Sequence, residues 1–387
     1  MFKESLDKVL RFSENKNIII VCAGKIGQEI AVALIEHNYN IISFFDNNES
    51  LNGLTVYGIP VCKPVLCGQN DNVVYIIATA SDFIRFKLKK QLIGLGINQS
   101  DIACYYPYRC PDFNSELSPD EYKSEFEIMY SEVFGKPMNW ENPSTYNEKI
   151  NWEKFNITDE RRVRLSDKRL AREWVADKIG NKHLTEHYGY WKRTKDIDLD
   201  KLPERFVLKT NNGSSRNILV HDKSTADFNE IFDKLEYWLN SNYMFQTFEM
   251  HYGLVEPCIL AEEYIEGLAE TLYDYNIYCF HGEPEYIWCI KGSHRPGCTA
   301  TFYNKKWERQ PFSFGYPLDI YPALKPDKLD EMLNLTKVLC EGFDHVRVDW
   351  YILPDGRILF GEMTFMSWGG VQRFCPEKYD MVFGNLI

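Results

Sequence analysis

A chain of 387 residues is too long for one ordinary domain and suits two or three. Its 44% hydrophobic and 15% aromatic content is ample for packed cores, and its net charge of -12 argues against a nucleic-acid partner, since phosphate backbones select basic surfaces. The eleven cysteines are scattered without a CxxC pair, which argues against zinc ligation and suits a reducing cytoplasm.

The start, MFKESLDKVLRFSENK, has no apolar h-region, and the longest apolar runs are strand-sized. No signal peptide or membrane span is therefore expected, and a cytoplasmic protein is. From the N-terminus, Asn17 to Ala23 reads as a buried strand, Lys25 to His37 as a helix and Asn40 to Phe45 as a second strand ending at Asp46. Val73 to Thr79 is a later strand and Ser81 to Leu95 a helix. This βα alternation predicts a parallel, doubly wound, Rossmann-like sheet. Cys22 stands where the first glycine of GxGxxG belongs, which leaves Gly24 and Gly27; Asp46 follows Gly27 by 19 residues, near the place of a ribose-binding acid. The three residues are candidates for holding a nucleotide sugar or NAD; the competing reading is a structural or docking role.

A proline-rich stretch near Tyr106 to Pro119 predicts a boundary, with a nucleotide- or sugar-nucleotide-binding domain at 1–112 and a catalytic domain at 113–387. Asp120 to Asn156 reads as helical around an NPST turn at Asn142 to Thr145. Ser166 is the expected N-cap of a helix from Asp167 to Ile179, stopped by Gly180. Strands follow at Arg205 to Thr210, Ile259 to Ile265, Asp274 to Phe280, Glu285 to Ile290, Val346 to Leu353 and Arg357 to Phe365. The fold class is thus α/β followed by mixed α+β.

The segment VRVDWYILPDGRILFGEMT carries the clearest chemistry. Asp355-Gly356 favours a two-residue type I′ turn, which would set Asp349 opposite Glu362 and Arg347 opposite Thr364. All four would then share one face of the sheet. Facing carboxylates repel, and a divalent cation on hard oxygen ligands relieves the repulsion, with Arg347 suited to an approaching phosphate. The alternative is a solvated face neutralised by Arg347, and a three-residue loop would shift the register and dissolve the constellation.

RFVLKTNNGSSRN places Lys209 at a strand end before Gly213, Ser214 and Ser215, a small-residue loop whose N–H groups can lie over phosphates, although no Walker A pattern is present. Lys168, in the first turn of its helix, opposes the macrodipole unless an anion sits there. In ILAEEYIEG, Glu262 or Glu263 can accept from an adenine amino group. Asp274 can bind ribose hydroxyls or simply begin a strand. For each of these an ordinary solvated or turn residue is the competing reading.

In their order these pieces resemble an ATP-grasp enzyme and, more narrowly, the TupA-like ATP-grasp family found with bacterial surface-polysaccharide genes. The matching stretches are PSTYNEKINWEKFN, LSDKRLAREWV, FVLKTNNGSS, DYNIYCFHGEP, VRVDWYI and FGEMTF, over roughly residues 115 to 387. The resemblance implies that Lys168 and Lys209 contact ATP phosphates beside Gly213, Ser214 and Ser215. It also implies that Glu262, Glu263 and Tyr264 line the adenine pocket and that Asp274 lies near ribose. Asp349 and Glu362 become Mg2+ ligands, joined by Thr364 where many relatives have Asn.

Such ligases activate a carboxylate as an acyl phosphate that an amine attacks. The expected reaction is amide formation between a uronic-acid sugar of a surface-polysaccharide precursor and an amine or amino acid. Alternatives are phosphoryl transfer to a sugar hydroxyl by the same site, or a non-catalytic partner of a glycosyltransferase complex. Arg347, Lys291 and Arg295 are the catalytic candidates, with His294, Arg373 and the Ser367–Gly370 loop as further acceptor-pocket candidates.

Overall fold

Apolar runs of five or six residues such as NIIIV and VVYIIA are too short for helices and too uniformly apolar for a sheet wet on one side, so they form strands covered on both faces. The computed structural model describes residues 2–65, 72–266, 272–292, 296–321 and 323–387. The chain divides into Met1–Leu117 and Ser118–Ile387.

In the first unit the elements are α1 (Lys3–Phe12), β1 (Asn17–Val21), α2 (Lys25–Glu36), β2 (Asn40–Phe45), β3 (Thr55–Val56), β4 (Ile59–Cys62), β5 (Val73–Ala78), α3 (Asp82–Gly94), β6 (Ile102–Tyr105) and α4 (Pro111–Asn114). The sheet order is β3-β4-β2-β1-β5-β6, parallel except for the β3–β4 hairpin at its edge. Ile18, Ile20, Val74 and Ile76 pack toward α2 residues Ile30 and Leu34, while Ile19, Tyr75 and Ile77 meet α3 residues Leu88 and Leu92. Each fully buried aliphatic side chain contributes about 1.5–3 kcal/mol.

The second unit begins with α5 (Pro119–Phe134), α6 (Tyr146–Phe155), α7 (Glu160–Ser166) and α8 (Lys168–Ile179). Next come β7 (His187–Trp191), β8 (Phe206–Thr210), β9 (Asn217–Val220), α9 (Phe228–Asn240) and β10 (Ile259–Glu263). The remaining elements are β11 (Tyr273–Phe280), β12 (Glu283–Lys291), β13 (Thr299–Asn304), β14 (Ser313–Phe314), α10 (Leu329–Leu339), β15 (His345–Ile352), β16 (Ile358–Thr364), β17 (Phe374–Cys375) and α11 (Lys378–Gly384). Two larger antiparallel sheets result, β7-β10-β8-β9 and β13-β12-β11-β15-β16, with β14 and β17 pairing as a two-stranded antiparallel ribbon.

Helix α8 corrects one expectation. Its N-cap is Asp167, whose carboxylate accepts from the N–H groups of Arg169 (2.8 Å) and Leu170 (3.4 Å). Ser166 instead closes α7, its hydroxyl donating to the Arg162 carbonyl at 2.8 Å. With two adjacent capping residues, the carboxylate is the better acceptor beside the positive helix end. Gly180, at φ 90°, ends α8.

In the five-stranded sheet, Val346, Val348 and Trp350 of β15 join the main core, and the Trp350 indole donates to Thr336 of α10 at 2.8 Å. Alternation sends Arg347, Asp349 and Tyr351 to the opposite face. The fold thereby fixes which face of β15 carries its polar groups.

Candidate active site

The hairpin that carries the two carboxylates has a three-residue loop, not the expected two-residue turn. Leu353 N–H donates to Arg357 (2.9 Å) and Gly356 N–H to Leu353 (2.9 Å), with Gly356 at φ 85°. Pro354 presets a type I turn and Gly356 takes the left-handed position that follows it. From there Ile352 pairs with Ile358 and Trp350 with Phe360, one residue out of the expected frame. The ladder then slips: beyond it Val348 pairs with Met363 and Arg347 with Thr364, so Asp349 faces both Gly361 and Glu362. This β-bulge absorbs the extra loop residue.

Arg347, Asp349, Glu362 and Thr364 consequently share one face. The Arg347 guanidinium donates to both Asp349 oxygens (2.7 and 2.5 Å), to Glu362 (3.2 Å) and to the Thr364 hydroxyl (3.0 Å), while Thr364 donates to Glu362 (2.7 Å). Burial pushes the Asp349 carboxyl up to about 7, with Glu362 and Asp274 adding to the rise against Arg347. Burial also opposes ionisation of Glu362, but Lys168, Arg347, Thr364 and Lys209 together hold it below its ordinary value. Asn276 lies opposite Asp349 and Asp274 opposite Tyr351 on β11, which extends the polar face by a strand.

Two lysines from separate elements reach the same place. Lys168, at the start of α8, donates to the Gly213 carbonyl. Burial lowers its pKa, against the pull of Glu362 and with the push of Lys209. Lys209 on β8 pairs with Glu262 on β10, which also meets Arg172 (3.4 Å) and accepts from Thr185 (3.2 Å). Burial of Glu262 is outweighed by Lys209 and Arg172, so its carboxyl is held low. Glu262 is thus the buried anchor of two cations, a use that its sequence neighbours do not reveal.

The loop between β8 and β9 is built from buried polar groups. The Asn211 side chain spans the Glu256 carbonyl (2.9 Å) and the Cys258 N–H (2.7 Å), while Arg216 donates to Trp238 (2.9 Å) and Ser241 (3.0 Å). Gly213 lies against the Tyr243 ring, 2.7 Å from where its Cβ would stand, so no larger residue fits there. Ser214 is half-buried and Ser215, at φ 57°, is exposed.

Glu263 binds Arg357 (3.2 Å), and the Tyr264 hydroxyl meets His221 (3.0 Å). Lys291 is exposed at the end of β12. His294 and Arg295 lie outside the described residues. Arg373 donates to the Val133 carbonyl at 2.6 Å. In the first unit Gly24 caps α2, and a Cβ on Gly27 would overlap the Cys22 carbonyl. Asp46 accepts from the N–H groups of Ala23 and Asn48, both at 2.8 Å, so its carboxylate fastens the β1–α2 loop to β2.

A further set of residues was not foreseen. Asn147, Asn151 and Lys154 form a buried polar stripe along α6. Asn147 donates to Gln372 (3.1 Å), Asn151 to Gly370 (2.6 Å), and Lys154 to Gly369 (2.5 Å) and Thr247 (2.6 Å). They grip a left-handed turn in which Trp368, Gly369 and Gly370 have φ of 53°, 56° and 66°. Ser367, at its start, accepts from Arg347 at 3.3 Å. Polar residues at i, i+4 and i+7 of YNEKINWEKF were the available signal, but a solvated face gives the same pattern.

A family model described as TupA-like ATPgrasp matches residues 148–387. No curated protein matches the chain. Among solved structures it is similar to an L-amino acid ligase from Bacillus licheniformis, with 14% identity, 92% of this chain and 69% of that chain covered, and a TM-score of 0.35. It is also similar to a D-alanine–D-alanine ligase from Bacillus anthracis complexed with ATP (15% identity, 90% and 85% covered, TM-score 0.31). A third is N5-carboxyaminoimidazole synthetase from Staphylococcus aureus complexed with ADP (15% identity, 90% and 70% covered, TM-score 0.34).

Proposed function

Because the chain belongs to the TupA-like ATP-grasp family, we propose that it is an ATP-dependent carboxylate–amine ligase acting through an acyl phosphate on a uronic-acid sugar of a surface-polysaccharide precursor. The observation that carries this reading is the one-face cluster of Arg347, Asp349, Glu362 and Thr364, with Lys168 within reach of the Glu362 charge.

The donor set suits magnesium. Two carboxylates and a hydroxyl are hard oxygen ligands, and Mg2+ is commonly held by one or two carboxylates plus nucleotide phosphates. The rise of the Asp349 pKa to about 7 marks a buried acid whose charge lacks full compensation. No group of three His, Cys, Asp or Glu side chains suited to a metal occurs among the described residues, so the phosphates would complete the shell. Asp349, Glu362 and Thr364 would hold the ion, which when bound neutralises charge on the phosphate oxygens.

The protein's own groups do the rest. Lys168 and Lys209 hold the phosphates, and Glu262 fixes Lys209 in place. A substrate carboxylate oxygen attacks the γ-phosphorus and ADP leaves. The amine nitrogen then attacks the acyl carbon, the bond from that carbon to the phosphate oxygen breaks, and the proton lost from nitrogen leaves with the phosphate or to water. Arg347 stabilises the negative charge that develops at each stage, an electrostatic role of the kind that dominates such catalysis.

Release of ADP and phosphate with uronic-acid and amine pairs, read with the coupled product by mass spectrometry, tests the proposal. Turnover that needs no amine and leaves a stable phosphorylated sugar would overturn it in favour of phosphoryl transfer.

A further inference from the structure

Trp368 is held in a conformation that bulky residues avoid. At φ 53° and ψ 31° it lies in the left-handed region, which a bulky side chain disfavours. The grip of Asn151 and Lys154 on the next two carbonyls maintains it. Its indole rests on Gly315, where a Cβ would come within 2.8 Å of Cζ2, and meets the Tyr316 ring edge-on at 5.2 Å. Tyr316 in turn stacks on buried Trp288 at 5.7 Å. Backbone and ring are both fixed, yet Trp368 remains 40% exposed.

Its position ties it to the carboxylate face. Ser367, one residue earlier, accepts from Arg347. Burial raises the pKa of the Tyr316 hydroxyl, with Cys298 and Asp274 adding to the rise and Arg347 opposing it. A fixed, part-exposed indole beside hydrogen-bonding groups suits a ligand with one apolar face and a polar rim. A pyranose has that form: the C–H groups on one face carry slight positive charge and complement the negative face of the indole, while its hydroxyls reach polar neighbours.

We propose that Trp368 is the stacking platform for the pyranose ring of the substrate, so that it selects a cyclic sugar acid over an open-chain acid. The inference rests on the reading of the site as acting on a sugar acid.

The test uses the full chain labelled with 5-fluorotryptophan in the presence of Mg2+ and the non-hydrolysable ATP analogue AMP-PNP. Since there are nine tryptophans, Trp368→Phe assigns the fluorine resonance. Glucuronic acid and methyl glucopyranoside are expected to shift it and glutarate is not. Trp368→Ala is expected to weaken glucuronate binding about 10-fold with AMP-PNP affinity within about twofold of wild type, and Trp368→Tyr to retain most of it. The proposal is overturned if neither sugar moves the resonance, if glutarate or AMP-PNP alone moves it equally, or if Trp368→Ala binds glucuronate as wild type does. Equal glucuronate-driven ADP release by wild type and Trp368→Ala would remove the platform and leave the ligase reading standing. A sugar response without ADP release from any acid–amine pair would do the reverse.

Discussion

A Cβ on Gly361 would stand 3.2 Å from the carbonyl oxygen of Asp349 and 3.3 Å from its Cβ. The bulge that turns Asp349 and Glu362 to one face is therefore closely fitted around a residue without a side chain, with the Tyr351 ring closing it 3.1 Å from that Cβ position. Gly361→Ala is expected to cost about 1–3 kcal/mol from crowding, seen in urea denaturation. It should also weaken Mg2+-dependent ATP binding about 10-fold by calorimetry. An alanine variant with unchanged nucleotide affinity would show that the bulge is not needed for the site.

Asp349→Asn and Glu362→Gln should each reduce ATP turnover by about 10²–10³-fold, the scale for losing a preorganised electrostatic group. Asp349→Asn is expected to be no less stable than wild type near neutrality, because burial already raises this acid to about 7. Arg347→Met should be clearly less stable, since it leaves two acids without their shared cation. Thermal melts without Mg2+ check the stability order, and a destabilised Asp349→Asn would contradict it.

Lys154 and Glu249 are buried and oppose each other's shifts: burial pushes the lysine down and the acid up, and each charge acts against the other's displacement. Lys154→Met is expected to cost about 3–5 kcal/mol, because Glu249 loses the balancing charge and two carbonyls lose a donor. Adding Glu249→Gln should recover part of that loss. A double-mutant cycle measures the coupling, and strict additivity would mean the two groups act independently.

His251 supplies a pH signature. Burial, reinforced by Lys154 and Arg162, lowers its pKa from 6.5 to about 3. A depressed histidine stays neutral when folded and binds its proton when unfolded, so its contribution is complete above 6.5 and is lost as pH falls from there towards about 3. Within that window the slope approaches about 1.4 kcal/mol per pH unit for one such group. The stability difference between wild type and His251→Phe, followed by urea unfolding, should vary with pH in that window and level off above it. A flat difference would remove the assignment.

Alternation placed Arg347 with Asp349 on one strand and Glu362 with Thr364 on the other, but the two pairs share a face only because the bulge restores the frame, since an uncorrected one-residue slip would set them on opposite faces. Turn length was not legible, since Asp355-Gly356 serves two-residue and three-residue loops alike and the choice depends on Pro354. The compensating bulge was hidden as well, because it answers to packing between Gly361 and Asp349. Segments rich in βα alternation announced their elements, whereas the polar spacing of α6 reads equally as a solvated face. Asn147, Asn151 and Lys154 acquire meaning only once residues more than 200 positions away arrive to accept their hydrogen bonds. Glu262 is a similar case, since its partners Arg172 and Lys209 come from different elements.

The slip in the β15–β16 ladder has a consequence for how the chain can vary. A residue gained or lost at the hairpin tip shifts the frame of everything beyond it unless the shift is cancelled before the chemistry begins. The bulge performs that cancellation midway, so the tip and the charged face are kept in separate frames. A further residue within Pro354 to Gly356 would therefore leave the acids aligned only if it looped out beyond the Leu353–Arg357 pair, since the single bulge already cancels the one-residue shift present.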